Sequence, residues 1–182
     1  MSFNWLRPPL SGGRAPPQEI LRPVKARYIA LTLLSALVLN LFALPDLLNQ
    51  IKPDLIALTL IYWVVYHPRR VGFLPAWFLG LTMDVADGSL FGQHALAYAV
   101  LMYLAILLHR RILMFGMRQQ IVHVAAILLL SQFIMLGVRM LSGADFPGPL
   151  FFIPSFLGAA LWPLLFNVIR IPLRPRTDPD AV

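Results

Sequence analysis

The chain has 182 residues, of which 59% are hydrophobic and only 13% are charged, and its mean hydropathy is +0.74. This composition lies outside the range of ordinary soluble domains, and a chain of this size has too little interior to hide so much apolar sequence from water. The formal net charge of +7 would suit nucleic-acid binding, but the basic residues are scattered between apolar runs and share no face. The absence of cysteine excludes disulfides, thiolate nucleophiles and cysteine-based metal sites.

The first 27 residues are rich in proline and glycine and carry five Lys or Arg residues. Such a composition buries too little apolar area to offset the entropy of ordering, so we predict a flexible basic tail at residues 1–27. A basic tail before an apolar run has the outline of a signal peptide, but no small-residue cleavage pattern follows. We therefore predict that the first apolar run is an uncleaved membrane span.

Six apolar runs predict an all-α integral membrane protein with a six-helix domain at residues 28–172, followed by a polar tail at 173–182. The approximate limits of the spans are 28–44, 53–67, 71–86, 90–108, 121–141 and 150–171. The second and third runs are short, about 20 Å of helix against a hydrocarbon core of ~30 Å. They form either a re-entrant hairpin or two spans. A hairpin would bury Arg69 and Arg70 at its tip, at roughly 2.5–3.5 kcal/mol each, so we predict two spans.

The distribution of basic residues predicts the orientation of these spans. All but two of the 15 Lys and Arg residues lie in the N-terminal tail, the 67–70 corner, the 109–120 connection and the C-terminal tail. Only Lys52 and Arg139 lie in the intervening connections. This alternation holds over all six spans, and positively charged loops remain in the cytoplasm. We predict that both termini are cytoplasmic.

On this topology six polar residues lie toward the outer face: Asp54, Asp84, Asp87, Gln93, His94 and Arg139. Asp84 and Asp87 are three residues apart and share one face of a helix. One interpretation is an acidic site for a cation, a partner or a proton; the other is that the two residues end the third helix and meet interfacial water or an internal cation. We hypothesise that Arg139 pairs with Asp84 or Asp87, because such a contact offsets the desolvation of both groups.

Local sequence patterns predict structural roles for Asp54, Gly88 and Gly92. Asp54 follows Pro53 at the start of a span, which favours an N-terminal helix cap over a binding site. Gly88 and Gly92 have the spacing of a small-residue packing motif in lipid, or they are turn glycines between two spans. We favour the turn.

Further along the chain, small and polar residues inside the spans predict contacts between helices. Gly80, Gly137 and Gly158-Ala159-Ala160 are predicted helix-packing positions, because small residues let helix backbones approach closely in lipid. Ser131 and Gln132, in the middle of the fifth span, are predicted to form hydrogen bonds between helices.

The sequence lacks the patterns of a membrane enzyme. It has no GxSxG motif and no glycine-rich phosphate loop, and its four histidines form no i, i+4 pair or HExxH motif. A membrane aspartyl protease needs carboxylates on two helices, whereas Asp84 and Asp87 share one, and Ser89 and His94 are close only in sequence. We therefore predict no catalytic residues, no metal and no cofactor.

Seven short motifs lie between residues 53 and 98: Pro53-Asp54-Leu55, Tyr62-Trp63, Arg70-x-Gly72, Gly80-x3-Asp84, Gly88-x3-Gly92, His94-Ala95-Leu96 and Tyr98. In combination, and together with the chain length, the six spans and the cytoplasmic ends, they resemble the rod shape-determining MreD family of bacterial inner membranes. The resemblance covers residues 25–172. It marks Asp84, Gly88, Gly92 and His94 as family-signature positions.

The resemblance implies a non-enzymatic component of the cell-elongation complex that helps organise lateral peptidoglycan synthesis. The expected direct partner is MreC, a single-span periplasmic scaffold protein. MreB filaments, the RodA glycosyltransferase, the elongation-specific penicillin-binding transpeptidase and membrane lipids are expected in the same complex, and nucleic acid is not. The resemblance also implies a fold similar to the six-helix substrate-binding components of energy-coupling-factor transporters.

The alternative function is a small-molecule or cation transporter component that uses the Asp84/Asp87 region. Substrate-binding components of energy-coupling-factor transporters dock their motor through an Ala-x3-Ala pattern on the first helix, whereas Ala30, Ala36 and Ala43 are spaced by six and seven residues. A proton or cation carrier is the other transporter class to consider. Ligand-dependent thermal stabilisation would favour transport, and co-purification with a single-span periplasmic protein would favour assembly.

Overall fold

The computed structural model describes residues 24–173, except for the side chains of residues 46 and 47. This part of the chain contains helices and no strand. The α-helices are α1 (Ala26–Leu41), α2 (Asp46–Ile51), α3 (Leu55–Tyr66), α4 (Phe73–Ala86), α5 (Gln93–Met114), α6 (Met117–Leu141) and α7 (Ile153–Arg170), with 3-10 turns at Pro149–Phe152 and Ile171–Leu173. Most of the two predicted tails, residues 1–23 and 174–182, lies outside the described residues.

Each of the six apolar runs forms a helix, but several ends differ from the prediction. Ala26 and Arg27 belong to α1 rather than to the tail, and the short helix α2 was not predicted. Most of the predicted 109–120 connection is helical, because α5 continues to Met114 and α6 begins at Met117. Only two residues therefore join α5 to α6, which makes these helices antiparallel neighbours.

Three helical segments of the described chain are long and apolar enough to cross a membrane: Gln93–Met114, Met117–Leu141 and Pro149–Leu173. The helices Ala26–Leu41 and Phe73–Ala86 are shorter apolar helices. Large apolar side chains on these outer helices are exposed, such as Leu74 at 70% and Leu141 at 90%. An exposed apolar surface of this extent is typical of a protein that meets lipid.

The short helix α3 forms the centre of the bundle. Its residues 56–65 are all buried, and it packs against α1, α5, α6 and α7. A helix that is apolar on every side is one that other helices enclose. The structure thus gives a reason for the short second run: neighbouring helices rather than lipid surround α3, so the bilayer thickness does not fix its length.

Aromatic side chains pack around the C-terminal half of α3. The Tyr62 ring lies 5.2 Å from the Trp63 ring and 6.3 Å from the Trp162 ring of α7. The side-chain oxygen of Gln120 accepts hydrogen bonds from Tyr66 Oη at 3.3 Å and from Trp162 Nε1 at 3.2 Å. One amide on α6 therefore satisfies polar atoms of both α3 and α7 inside an apolar core, as buried polar groups require.

Two of the three predicted packing glycines lie at helix contacts. A Cβ on Gly80 of α4 would lie 2.4 Å from the Cα of Ala95 on α5, so the absence of a side chain lets these backbones approach. A Cβ on Gly158 would lie 3.1 Å from the Leu128 side chain. The prediction for Gly137 is wrong, because no other helix of the described chain lies within 4 Å of its ideal Cβ position.

Most basic and acidic residues of the described chain lie at opposite ends of the bundle, and Lys52 and Arg139, which lie at the acidic end, are exceptions. At the end where α3 and α5 finish, exposed arginines lie at the α3–α4 and α5–α6 connections: Arg69, Arg70, Arg110, Arg111 and Arg118. We call this the basic end. The opposite end, where α3, α5 and α7 begin, carries Asp54, Asp84, Asp87 and Asp145. We call it the acidic end.

Two alanine substitutions test the close approach of α4 and α5. Gly80→Ala should destabilise the protein by about 1–3 kcal/mol, because the new methyl group would overlap the α5 backbone. Gly137→Ala, also inside a helix but in open space, should leave stability unchanged or raise it by about 0.5–1 kcal/mol. Unfolding of both variants in one detergent gives the comparison, and equal stability would contradict the packing role of Gly80.

Candidate functional site

Asp84, in the last turn of α4, is the most enclosed carboxylate of the acidic end, with 1% of the residue exposed. Its Oδ1 accepts hydrogen bonds from His94 N at 2.7 Å, His94 Nδ1 at 2.9 Å and Ser89 Oγ at 3.0 Å, and its Oδ2 accepts one from Gly92 N at 2.8 Å. Backbone N–H groups at a helix start form a natural anion site. Asp84 therefore caps α5 and ties it to the end of α4.

The turn between α4 and α5 wraps around this carboxylate because two glycines take left-handed backbone angles. Gly88 has φ of 59° and Gly92 has φ of 99°, a region that side-chain-bearing residues rarely adopt. Neither position packs closely against another part of the described chain, since nothing lies within 4 Å of an ideal Cβ. The turn interpretation of the Gly88-x3-Gly92 motif is confirmed.

The His94 ring lies between two aspartates with different environments. Nδ1 contacts Asp84, whereas Nε2 lies 3.7 Å from Asp87 Oδ2. The Asp84 side chain has no exposed surface, but 49% of the Asp87 side chain is exposed. The two carboxylates that share a helix face in sequence thus differ in role: one is enclosed by donors and the other faces solvent.

Ser89, His94 and Asp84 are the residue types of a hydrolase triad, but their geometry differs from that of a triad. A triad histidine binds the aspartate through one ring nitrogen and the serine through the other. Here Ser89 Oγ lies 3.3 Å from His94 Nδ1, the same nitrogen that contacts Asp84, and the hydroxyl also donates to that carboxylate. Both side chains support Asp84, and the arrangement leaves no serine poised for attack.

Asp54 forms a second polar junction at the acidic end. It is the N-cap of α3, as the sequence predicted, and its Oδ1 accepts from Ala57 N at 3.0 Å. The same oxygen accepts from Asn40 Nδ2 at 3.0 Å, and Oδ2 accepts from Tyr98 Oη at 2.7 Å. One carboxylate therefore joins α1, α3 and α5.

Sequence reasoning missed two members of this junction. Asn40 is buried at the end of α1, where its Oδ1 also accepts from Leu55 N at 3.2 Å. Lys52 Nζ donates to the Asn40 carbonyl at 2.6 Å, near the C-terminal end of α1. The signal for Asn40 was present, because an amide inside an otherwise apolar run must find a partner.

The proposed pairing of Arg139 with Asp84 or Asp87 is wrong. Arg139 is an exposed residue in the last turn of α6, and within residues 24–173 no ion pair joins it to either aspartate. His94 takes the place that the hypothesis gave to Arg139. Four donors already surround Asp84, so a guanidinium is not needed to stabilise it.

The two polar residues in the middle of α6 differ as well. Gln132 forms the predicted interhelical bonds, donating to the Phe151 carbonyl at 2.9 Å and accepting from Ser155 Oγ at 2.6 Å. Ser131 Oγ is buried and has no hydrogen-bond partner in the part of the chain that the structure describes. For Ser131 the prediction is therefore wrong.

Across the described residues, no group of three or more His, Asp, Glu or Cys side chains is arranged to hold a metal ion.

Comparison with known proteins identifies the family of this chain. The model of the family "rod shape-determining protein MreD" matches residues 24–171. The chain belongs to the MreD family. It is 31% identical over 139 residues to the rod shape-determining protein MreD of Haemophilus influenzae, a match that covers 74% of this chain and 83% of that protein. No solved structure matches the chain.

Family membership implies a role in rod shape determination and agrees with the apolar helices described above. The match includes every residue of the acidic end named here, from Asn40 to Ser155.

Matched substitutions at Asp84 and Asp87 test whether Asp84 has a structural role that the exposed Asp87 lacks. Asp84→Asn should destabilise the protein by about 1–3 kcal/mol, because an amide cannot accept all four donors and leaves a buried N–H unsatisfied. Asp87→Asn should change stability by less than about 0.5 kcal/mol. Denaturant unfolding in the same detergent measures both, and a loss at Asp87 as large as at Asp84 would contradict the assignment.

Proposed function

We propose that this chain is a non-enzymatic, multi-pass protein of the bacterial inner membrane that binds MreC and helps organise lateral peptidoglycan synthesis. The observation that supports the proposal is that the carboxylates of Asp54 and Asp84 accept hydrogen bonds from donors of the chain itself. Asp54 links three helices and Asp84 links two, so the buried charges fix the positions of the helices. A bundle braced in this way suits a platform on which other membrane proteins assemble.

The proposed topology has six membrane crossings, formed by α1 and α3–α7, with both termini in the cytoplasm. The basic end would face the cytoplasm, in agreement with the preference of Lys and Arg for that side. The acidic end would face the periplasm. The fold supports this orientation, because it brings the arginines of two separate connections to the same end of the described bundle.

The engagement of Asp84 argues against a cation or proton carrier at that residue. A carrier has to bind and release its cargo, whereas four hydrogen bonds from the α4–α5 turn and from α5 hold this carboxylate. Release of these donors would uncap α5 and leave its first N–H groups buried without partners. The platform role therefore fits Asp84 better than the transport alternative does.

A lateral groove between α1 and α7 is our proposed docking surface for the MreC span. Its volume is about 250 Å³ and its exposed lining is mostly apolar. Ser35 and Leu39 lie on the α1 side, and Leu164 and Val168 lie on the α7 side. Small residues such as Ser35 and Ala36 let a second helix approach closely in lipid. The floor of the groove is α3, so a helix docked there would lie next to the braced core.

The basic end is the proposed cytoplasmic contact surface. Its five arginines are exposed and would attract anionic lipid headgroups or an acidic surface of a cytoplasmic partner such as MreB. RodA and the elongation-specific transpeptidase would join the complex through MreC or through the remaining lipid-facing helices.

Single cysteines test the proposed topology, and the lack of native cysteine removes the background. In intact spheroplasts a membrane-impermeant maleimide should label Ala144→Cys, in the exposed loop before α7, and leave Gly116→Cys unlabelled. Permeabilised cells should show labelling at both positions. Labelling of Gly116→Cys in intact cells would reverse the topology and remove its support for the proposed function.

Photo-crosslinking tests the partner and the groove together. A crosslinking amino acid at Leu164, in the groove, should capture MreC in native membranes, whereas the same amino acid at Leu74, exposed on α4, should not. Capture at Leu74 alone would place MreC on the other side of the bundle. If MreC neither crosslinks at any lipid-facing position nor co-purifies with the tagged chain, the proposed function fails.

A further inference from the structure

A cavity of about 190 Å³ lies at the acidic end, next to both carboxylate junctions. Its walls come from α2, α3, α6 and α7 and from the ends of α1, α4 and α5. The lining combines apolar groups such as Met83, Leu128 and Met135 with polar side chains, and the apolar share is the larger. Pockets that combine apolar walls with a few convergent polar groups are typical of small-ligand sites.

Most polar groups of the lining are engaged by the chain itself. Asp54 accepts from Ala57, Asn40 and Tyr98, and Lys52 donates to two carbonyls at the end of α1. Gln132 and Ser155 bind one another. These contacts explain the positions of these side chains without any ligand.

Apart from the exposed side chains of Asn49 and Gln50 on α2, three lining groups remain without such an explanation. Ser131 is 3% exposed and its Oγ has no partner among the described residues, although an unsatisfied buried hydroxyl is costly. The Asp87 carboxylate has only the distant contact with His94. His94 Nδ1 contacts Asp84, whereas Nε2 lies 3.7 Å from Asp87 Oδ2 and has no closer partner among the described residues. A single group placed between Nε2 and the Asp87 carboxylate contacts both.

We propose that this cavity binds a ligand that carries a primary ammonium group. Such a group donates up to three hydrogen bonds and is positively charged, so it can bridge Asp87 and His94 Nε2 and neutralise the carboxylate. Ser131 would contact the remaining polar part of the ligand. An anion is disfavoured, because Asp54 and Asp87 line the cavity and the one lysine of the lining is held by backbone carbonyls.

The ammonium group has two plausible sources, a soluble amine and the headgroup of an aminophospholipid. Both present the same chemistry to Asp87 and His94. The inference does not depend on MreC binding, since none of the three groups lines the proposed docking groove.

Calorimetry on the full-length protein in detergent tests the soluble source. Ethanolamine should bind, whereas ethylene glycol, which lacks the charge, and choline, which lacks the N–H donors, should bind at least tenfold more weakly. For the lipid source, native mass spectrometry after reconstitution should show retained phosphatidylethanolamine in preference to phosphatidylglycerol. Binding in either arm supports the proposal and identifies the source. No binding in both arms, or equal binding of ethanolamine and ethylene glycol, overturns it.

Two pairs of variants locate the site. Asp87→Asn should weaken binding of the amine or the aminophospholipid about tenfold or more, while Asp145→Asn, an exposed aspartate outside the cavity, should not. Ser131→Ala should weaken binding severalfold, whereas Ser142→Ala, whose exposed hydroxyl bonds to the Arg139 carbonyl, should not. Without ligand, Ser131→Ala should raise the melting temperature, because it removes an unsatisfied hydroxyl. Unchanged binding by Asp87→Asn would overturn the proposal even if an amine binds elsewhere.

Discussion

Buried polar groups inside an apolar bundle have to find their partners within the chain, and this constraint determines the structure of the acidic end. Asp84 meets it with four donors from the α4–α5 turn and from α5. Asp54 meets it with donors from α1, α3 and α5. The Asp84 bonds join two consecutive helices, and the Asp54 bonds join helices that are further apart in sequence, so the positions of four helix ends depend on two carboxylates. The central helix α3 can be short because its N-terminus is satisfied inside the protein.

Where a feature depends on residues close in sequence, it was predictable. The apolar runs located six of the seven α-helices of the described chain, and the Pro53-Asp54 pair located the cap of α3. The glycine spacing at Gly88 and Gly92 located the turn, because only a glycine-permissive backbone reverses direction so tightly there. These predictions succeed because capping and turn geometry involve atoms only a few residues apart.

Features that depend on packing between helices were predictable only in part. The sequence cannot show that Asp84 faces the start of α5 while Asp87, one turn later, faces solvent, since both belong to one helix face. The choice of Arg139 as a partner rested on charge alone, and charge does not reveal that His94 lies nearer. Similarly, Ser131 and Gln132 are neighbours with the same expected role, but only one of them points to a partner on α7.

The difference between Asp84 and Asp87 also separates the two roles proposed for the acidic end. A carboxylate enclosed by four donors of its own chain is a structural element, and its loss is felt as a loss of stability. A carboxylate that is half exposed, beside an imidazole nitrogen and a cavity, costs little to maintain and remains available to a ligand. Because Asp87 is not needed to hold the helices together, a ligand can bind and leave there without disturbing the platform on which the proposed complex assembles. The structural role of Asp84 and ligand binding at Asp87 are therefore compatible at one end of a small bundle. Protein stability measures the first, and ligand affinity measures the second.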